Sequence, residues 1–396
     1  MKPYSQKQII YLVCSHVSRR DFKRLGIKNW IDHGWKVEVF DITKFLFPSF
    51  SKYINKNKLN ADFEGLIIFQ NINEVLSALK NLKNKVVFID NIGFSIAEQR
   101  IRRVARDHGV LVRIKLGSIP EPKYNKNIPN LFRLIENPIR LFDKLIFFFK
   151  KKIEKIAAKR YFPDYFVVSG IKSMSGIKDK NTSIIKAHNM DYDYFIHEKQ
   201  TKLNKKTNSI AFIDGGGAYH SDDIRLGLTP GVTADNYYPV INRGLHEIEK
   251  SLKLNIKIAA HPKSNFIIIQ KKFNYPIFEN NTFELIRDAD VVVSHDSTSL
   301  QWAVIMKKPI ILVTTDEIEN APYSKNFKNS INEFAAALGK RVLNLSQLSS
   351  VNNWKDYLNV DVEKYEKYIE NYVKTKGSPE KLVWNIVIEH IEKDLF

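Results

Sequence analysis

Short apolar runs alternate with helix-periodic stretches along almost the whole chain, and the alternation occurs twice. In the first half IIYLVCS (9–15), KVEVFDI (36–42), GLIIF (65–69), KVVFID (85–90), VLVRI (110–114), DYFVVSG (164–170) and SIIKAHN (183–189) have strand character, with helical spacing over 19–34, 72–82 and 95–108. GSIPEPKYNKNIPN (117–130) breaks the pattern as a proline-marked loop. After a polar, charged stretch, HEKQTKLNKKTN (197–208), the pattern restarts. SIAFIDGGG, IKIAAHP, ADVVVSHDS, PIILVTT and RVLNL alternate with helices over 235–253, 282–288, 298–306 and 328–338, and two helices over 361–374 and 379–395 close the chain. Buried strands inside βαβ units belong to parallel sheets covered by helices on both faces. The expected class is therefore α/β, with two doubly wound Rossmann-like domains over 1–200 and 205–378 and a C-terminal helix over 379–396. Two such domains place a ligand cleft between them, at the carboxyl ends of both sheets.

Composition narrows the class. At 396 residues the chain exceeds one ordinary core, and 44% apolar content excludes a disordered chain. One cysteine, Cys14, excludes a disulfide framework and fits a reducing compartment. The N-terminal apolar run is too brief for a signal peptide, and no run approaches the roughly 20 apolar residues of a spanning helix. The expected location is cytoplasmic, or peripheral at the inner face of the plasma membrane.

The formal net charge of +19 calls for an anionic partner. The charge does not form a basic face interleaved with aromatics, so nucleic acid is not expected. Part of it is local: 131–160 holds nine Lys/Arg against three Asp/Glu. Within it Leu141, Phe142, Leu145, Ile146, Phe149, Ile153 and Ile156 share one helical face, with Arg140, Lys144, Lys151, Lys155 and Lys159 largely opposite. Two readings stand. One is an interfacial helix on an anionic membrane surface. The other is a helix packed on its own domain with a solvated basic side.

Three motifs of the second half bear chemistry. In VVVSHDSTSLQWAVIMKKP a strand ends at Ser294, and His295, Asp296, Ser297, Thr298 and Ser299 precede a helical pattern. A helix start at the carboxyl edge of a parallel strand, flanked by hydroxyls, suits a nucleotide phosphate; a Ser/Thr N-cap is the plainer alternative. In IKIAAHPKSN, Pro262 ends the strand so that His261 projects at the sheet edge, with Lys263 and Ser264 following. His261 either donates to a phosphate or is an ordinary strand-end histidine. In AFIDGGGAYHSDD, Asp214 ends a strand before three glycines and is a candidate general base. His220, Asp222 and Asp223 are supporting groups or solvated loop residues. In the first half His16 follows the first strand and is a rival base, and Asp90-Asn91 occupies the equivalent edge of another strand. Asp191-Tyr192-Asp193 matches an Asp-x-Asp metal pattern but abuts the linker, where a hinge or capping role fits better. No zinc spacing and no Walker-type loop occurs.

The Ser/Thr-rich turn before KP, combined with AAHPKS and IDGGG, resembles the donor-domain motifs of GT-B glycosyltransferases. The set is similar to that of bacterial sialyltransferases and polysialyltransferases, and to proteins of bacterial surface-polysaccharide clusters. It covers roughly 205–315; the N-terminal half resembles the family only in fold. The resemblance implies a nucleotide-sugar co-substrate, best matched by a CMP-nonulosonate, and a glycan or lipid-linked glycan acceptor, with no metal and no further cofactor. It assigns the donor phosphate to His261 and Ser297–Ser299 and the base to Asp214, and brings the last helix back onto the N-terminal domain. The sequence departs from the sialyltransferase pattern in having one carboxylate, Asp214, where an acidic pair is expected. CDP-glycerol-type glycerophosphotransferases, UDP-sugar enzymes and a non-catalytic binding protein remain as alternatives.

Overall fold

The computed structural model describes residues 7–47, 63–120, 152–198, 207–219 and 230–396, apart from positions 16, 18, 118, 159, 176, 178–180, 263, 265, 349–350 and 352. Most of the 131–160 stretch, and His16, Lys263, His220, Asp222 and Asp223, lie outside the described residues.

Seven strands form the first sheet: β1 (Gln8–Val13), β2 (Lys36–Asp41), β3 (Leu66–Ile68), β4 (Val86–Asn91), β5 (Gly109–Lys115), β6 (Tyr165–Ser169) and β7 (Ser183–Ala187). Their spatial order is β3-β2-β1-β4-β5-β6-β7, with every neighbouring pair parallel. Six form the second: β8 (Ser209–Ile213), β9 (Asn255–Ala259), β10 (Ile277–Phe278), β11 (Val291–Ser294), β12 (Ile310–Thr314) and β13 (Val342–Asn344). Their order is β10-β9-β8-β11-β12-β13, again all parallel. β1, β6, β8, β11 and β12 are buried along their whole length, as near-continuous apolar runs require when helices cover both faces. Each sheet has one apolar cluster on either face.

Each sheet reverses its winding once, between β1 and β4 and between β8 and β11. At such a switch point the loops leave in opposite directions and open a crevice beyond the carboxyl ends. In the second sheet Ile213 pairs with Ser294, so Asp214 and His295 leave side by side.

Several boundaries differ from expectation, each for a physical reason. The helix expected over 19–34 is two, Arg19–Arg24 and Ile27–Asp32, because Gly26 turns the chain at φ 62°. A Cβ at Gly26 would fall inside the Trp384 ring, so the glycine also permits that close packing. Trp384 belongs to the helix Val383–Leu395, whose Val383, Trp384, Ile386, Val387, Ile388 and Ile391 are buried in the core of the first sheet. The crossing back to that domain begins before residue 379. Helix Val362–Tyr368 loosens into a π-helical turn at Ile369–Val373, after which His188 bridges Lys374 and the Thr375 N–H donates to Ala187 O at 3.0 Å.

Met190–Glu198 is a helix where charge and polarity suggested the approach to a linker. Tyr192 packs in a core cluster of the second domain, and the Trp302 Nε1–H donates to Asp191 O at 2.7 Å. The Asp-x-Asp pair lies two residues apart on this helix. Asp193 accepts the Val383 N–H at 2.9 Å, which caps the last helix, while Asp191 lies 3.8 Å from the Arg24 guanidinium. The two carboxylates serve different elements.

Candidate functional site

A cleft of about 1070 Å³ opens between the two domains. The second domain contributes Gly215 and Gly217, His261 and Pro262, Asp296 to Ser299 and Trp302; the first faces them with Lys23, Arg24, Met190, Asp191 and Tyr194. The cleft therefore lies beyond the switch point of the second sheet, and three loops that the sequence singles out converge on it.

The loop after β11 departs from a simple helix start. The helix is only Leu300–Ile305, and its first N–H groups are already bonded: Leu300, Gln301 and Trp302 donate to the carbonyls of Ser297, Thr298 and Ser299. Ser299 at the N-cap makes no side-chain cap bond, and Ser297 Oγ accepts the Ser299 N–H at 3.2 Å. Neither the plain cap nor the open helix dipole describes this turn. What it offers a ligand is the hydroxyls of Ser297, Thr298 and Ser299, all on the cleft wall.

The residues ahead of them are divided between the core and the cleft. Ser294 is buried and donates to Ile213 O at 3.3 Å. His295 is 1% exposed; its Nδ1–H donates to Val313 O at 2.7 Å, and its Nε2 accepts the Tyr237 hydroxyl at 2.8 Å. Burial pushes the imidazole down to about 4, so it is neutral and both nitrogens are satisfied. Ser294 and His295, expected at the phosphate, instead hold the strand end from behind. Asp296 follows them into the cleft, half-buried, and burial raises its carboxyl to about 6 against a hydrogen bond from Ser330. Sequence reasoning passed over Asp296 as a site residue, because a strand end alone does not mark which of these residues turns into the cleft.

Asp214 lies one residue behind the cleft lining. It is 1% exposed, Oδ1 accepts the Gly216 N–H at 3.2 Å, and Oδ2 is buried with no hydrogen-bond partner. Desolvation raises its carboxyl to about 7. Gly216 and Gly217 both have positive φ, and a Cβ at Gly217 would press on the Tyr237 ring at 2.9 Å. The glycines thus let the loop fold tightly over Asp214 and against Tyr237, whose hydroxyl is held by His295.

The strand expected to reach His261 stops at Ala259, and His261 opens a turn closed by the Ser264 N–H at 3.0 Å. His261 is half-buried on the cleft wall; Ser264 is buried away from it, its hydroxyl without a partner. In the first domain Asp90, a candidate cleft residue, is turned inward. It accepts from Arg102 Nε at 2.8 Å and from Tyr161, and Arg113 Nη1 lies 3.4 Å away. Lys23 and Arg24 reach the cleft from a helix that carries no strand-edge motif, so only the tertiary structure reveals them.

Among the described residues no three His, Cys, Asp or Glu side chains converge as a metal site. No described helix is long and apolar enough to cross a membrane.

No family model matches the chain, and no curated protein matches it in sequence. Solved structures match it in fold. Two structures of the wall teichoic acid polymerase TagF align with 98% of this chain and with 89% and 90% of their own, at 12% and 13% identity, each with a TM-score of 0.53. A UDP-GlcNAc 2-epimerase from Neisseria meningitidis aligns with 98% of this chain and 100% of its own at 12% identity, with a TM-score of 0.46. At these identities the likeness is one of fold, and the chain has the GT-B fold: two doubly wound α/β domains facing a cleft.

Proposed function

We propose that this protein is a metal-independent, inverting glycosyltransferase of bacterial surface-polysaccharide biosynthesis, of the capsule or O-antigen kind. It takes a nucleotide-activated sugar, for which a CMP-nonulosonate is the preferred donor, and a glycan or lipid-linked glycan acceptor. One observation carries the reading: a single cleft wall combines the Asp296 carboxylate, the hydroxyls of Ser297, Thr298 and Ser299, and the His261 imidazole. With its carboxyl near 6, Asp296 is ionised at pH 7 yet more basic than an ordinary carboxylate, which is what a general base needs.

In this reading Asp296 takes the proton of the acceptor hydroxyl, and the oxygen attacks the anomeric carbon. The bond from that carbon to the nucleotide phosphate oxygen breaks, and the departing charge is met by His261 and the three hydroxyls. One displacement inverts the anomeric centre. Asp214 is the second candidate base and His16 the third. Lys263, two residues after His261 in the sequence, is the further cation that this reading assigns to the phosphate.

A second reading is transfer of glycerol phosphate from a CDP donor. It is favoured by the lone carboxylate at Asp214-Gly215-Gly216, where the sialyltransferase-like motif has an acidic pair. A thermal-shift panel of CMP, CDP, UDP, GDP and dTDP, with and without EDTA, tests both. Stabilisation by CMP that survives EDTA is expected. Stabilisation by CDP alone selects the second reading, and UDP alone selects a UDP-sugar enzyme. No response to any nucleotide removes the transferase and leaves a non-catalytic binding protein.

A further inference from the structure

A second, smaller hollow of about 460 Å³ lies on the first domain, away from the cleft. Its walls are the helix Ile96–His108 and the helical segment 152–158 with the turn that follows. Two kinds of side chain line it. Arg102, Arg103, Arg106 and Arg160 supply cations, and among the described residues no acidic side chain lines the hollow. Ile153, Ile156, Tyr161, Phe162 and Phe94 supply apolar surface.

The arginines are not equivalent. Arg102 is consumed internally: it pairs with Asp90 and lies against the rings of Phe94 and Tyr161, 4.8 and 4.5 Å from their centroids. That stack builds the floor. Arg106 donates to the Phe162 carbonyl and fixes the rim. Arg103 and Arg160 are exposed and have no side-chain partner among the described residues. Beside them Ile153, Ile156 and Phe162 are 46%, 44% and 40% exposed.

We infer that this hollow binds the headgroup of an anionic phospholipid, with Arg103 and Arg160 on the phosphate and the start of an acyl chain against Ile153, Ile156 and Phe162. Charge complementarity decides the occupant. A free inorganic anion accounts for the arginines but leaves three large apolar side chains in water. An apolar partner helix accounts for those side chains but buries two unpaired guanidinium groups, which is costly. A membrane anion satisfies both, since basic residues gain about 1 kcal/mol each near an anionic leaflet while apolar neighbours enter the acyl boundary. The inference stands apart from the reaction in the cleft and holds whichever donor that cleft takes.

Co-sedimentation of the full chain with vesicles tests it. Binding to equimolar phosphatidylcholine and phosphatidylglycerol, absent with phosphatidylcholine alone, is expected to fall about fivefold for each arginine removed, and roughly 25-fold in Arg103→Ser/Arg160→Ser. Ile153→Asp/Ile156→Asp should also release the protein. Lys271→Ser/Lys355→Ser removes the same charge from exposed positions of the second domain and should bind as the parent does. Circular dichroism and melting of each variant separate lost binding from lost folding. Vesicle binding unchanged in both hollow variants overturns the inference, as does equal loss in the control. Soluble glycerol phosphate that raises the melting temperature through Arg103 and Arg160, with no vesicle binding, replaces the lipid with a free anion and also overturns it.

Discussion

The two sheets end in carboxylates at the same topological place and treat them in opposite ways. At the switch point of the first, Asp90 is buried among Arg102, Arg113 and Tyr161, and nothing of it reaches the cleft. At the switch point of the second, neither Asp214 nor Asp296 has a cationic partner among the described residues, and burial raises both carboxyls, to about 7 and about 6. Pairing makes a carboxylate a brace, because removing either partner strands a buried charge. Leaving it unpaired makes it basic near neutral pH. One architecture thus supplies a locked half and a chemically available half.

The sharpest way to break this contrast is Asp296→Asn. Turnover should fall by about 10²–10⁴, the usual contribution of a general base, while a nucleotide still raises the melting temperature. Full turnover in that variant would leave the second domain's carboxylates without their assigned role. Arg102→Ala should next cost about 3–5 kcal/mol in urea unfolding, because Asp90 loses its 2.8 Å ion pair and keeps only the longer one to Arg113, at 3.4 Å. A loss below 1 kcal/mol would mean that the first domain is not braced there. Tyr237→Phe should cost about 1–3 kcal/mol by leaving His295 Nε2 without its donor, with the reading taken by urea denaturation at pH 7.

The smallest expected effect has a sign that depends on pH. The native Asp214 carboxyl holds its proton up to about 7, whereas an unfolded one releases it near 3.8. Between those values the native state binds more protons, so stability falls as pH rises through the window, and the cost is fully present above 7. Asp214→Asn removes that cost. It should stabilise the protein at pH 8 by on the order of 1 kcal/mol, because the buried amide that replaces the carboxylate offsets most of the roughly 4 kcal/mol that the shift is worth, and the gain should shrink as pH falls towards 4. Destabilisation at pH 8 would show that the ionised carboxylate is held by something the contrast omits.

The strands were legible because both faces of each parallel sheet are covered, which leaves runs such as IIYLV and PIILV without polar interruption. β10 escaped notice because two residues make no pattern. The helix Met190–Glu198 escaped because it presents Asp191, Asp193 and His197 around a few aromatics and so resembles a linker; its partners, Phe283 and Trp302, lie about a hundred residues away in sequence. The same limit governs the site. The three loops could be named from strand ends, but a strand end does not say which of Ser294, His295 and Asp296 turns into the cleft. That depends on Val313 and Tyr237, which take His295 into the core. Lys23 and Arg24 had no local mark at all, since their place depends on how the two domains meet.

The seating of Trp384 against Gly26 also bears on how the protein is made. Domains generally fold in order as the chain emerges from the ribosome. Here the core of the first domain lacks six buried side chains until residues 383–391 have been synthesised. The domain encoded first is therefore completed last, and a truncation that removes residues 383–391 damages the beginning of the protein while sparing its second half.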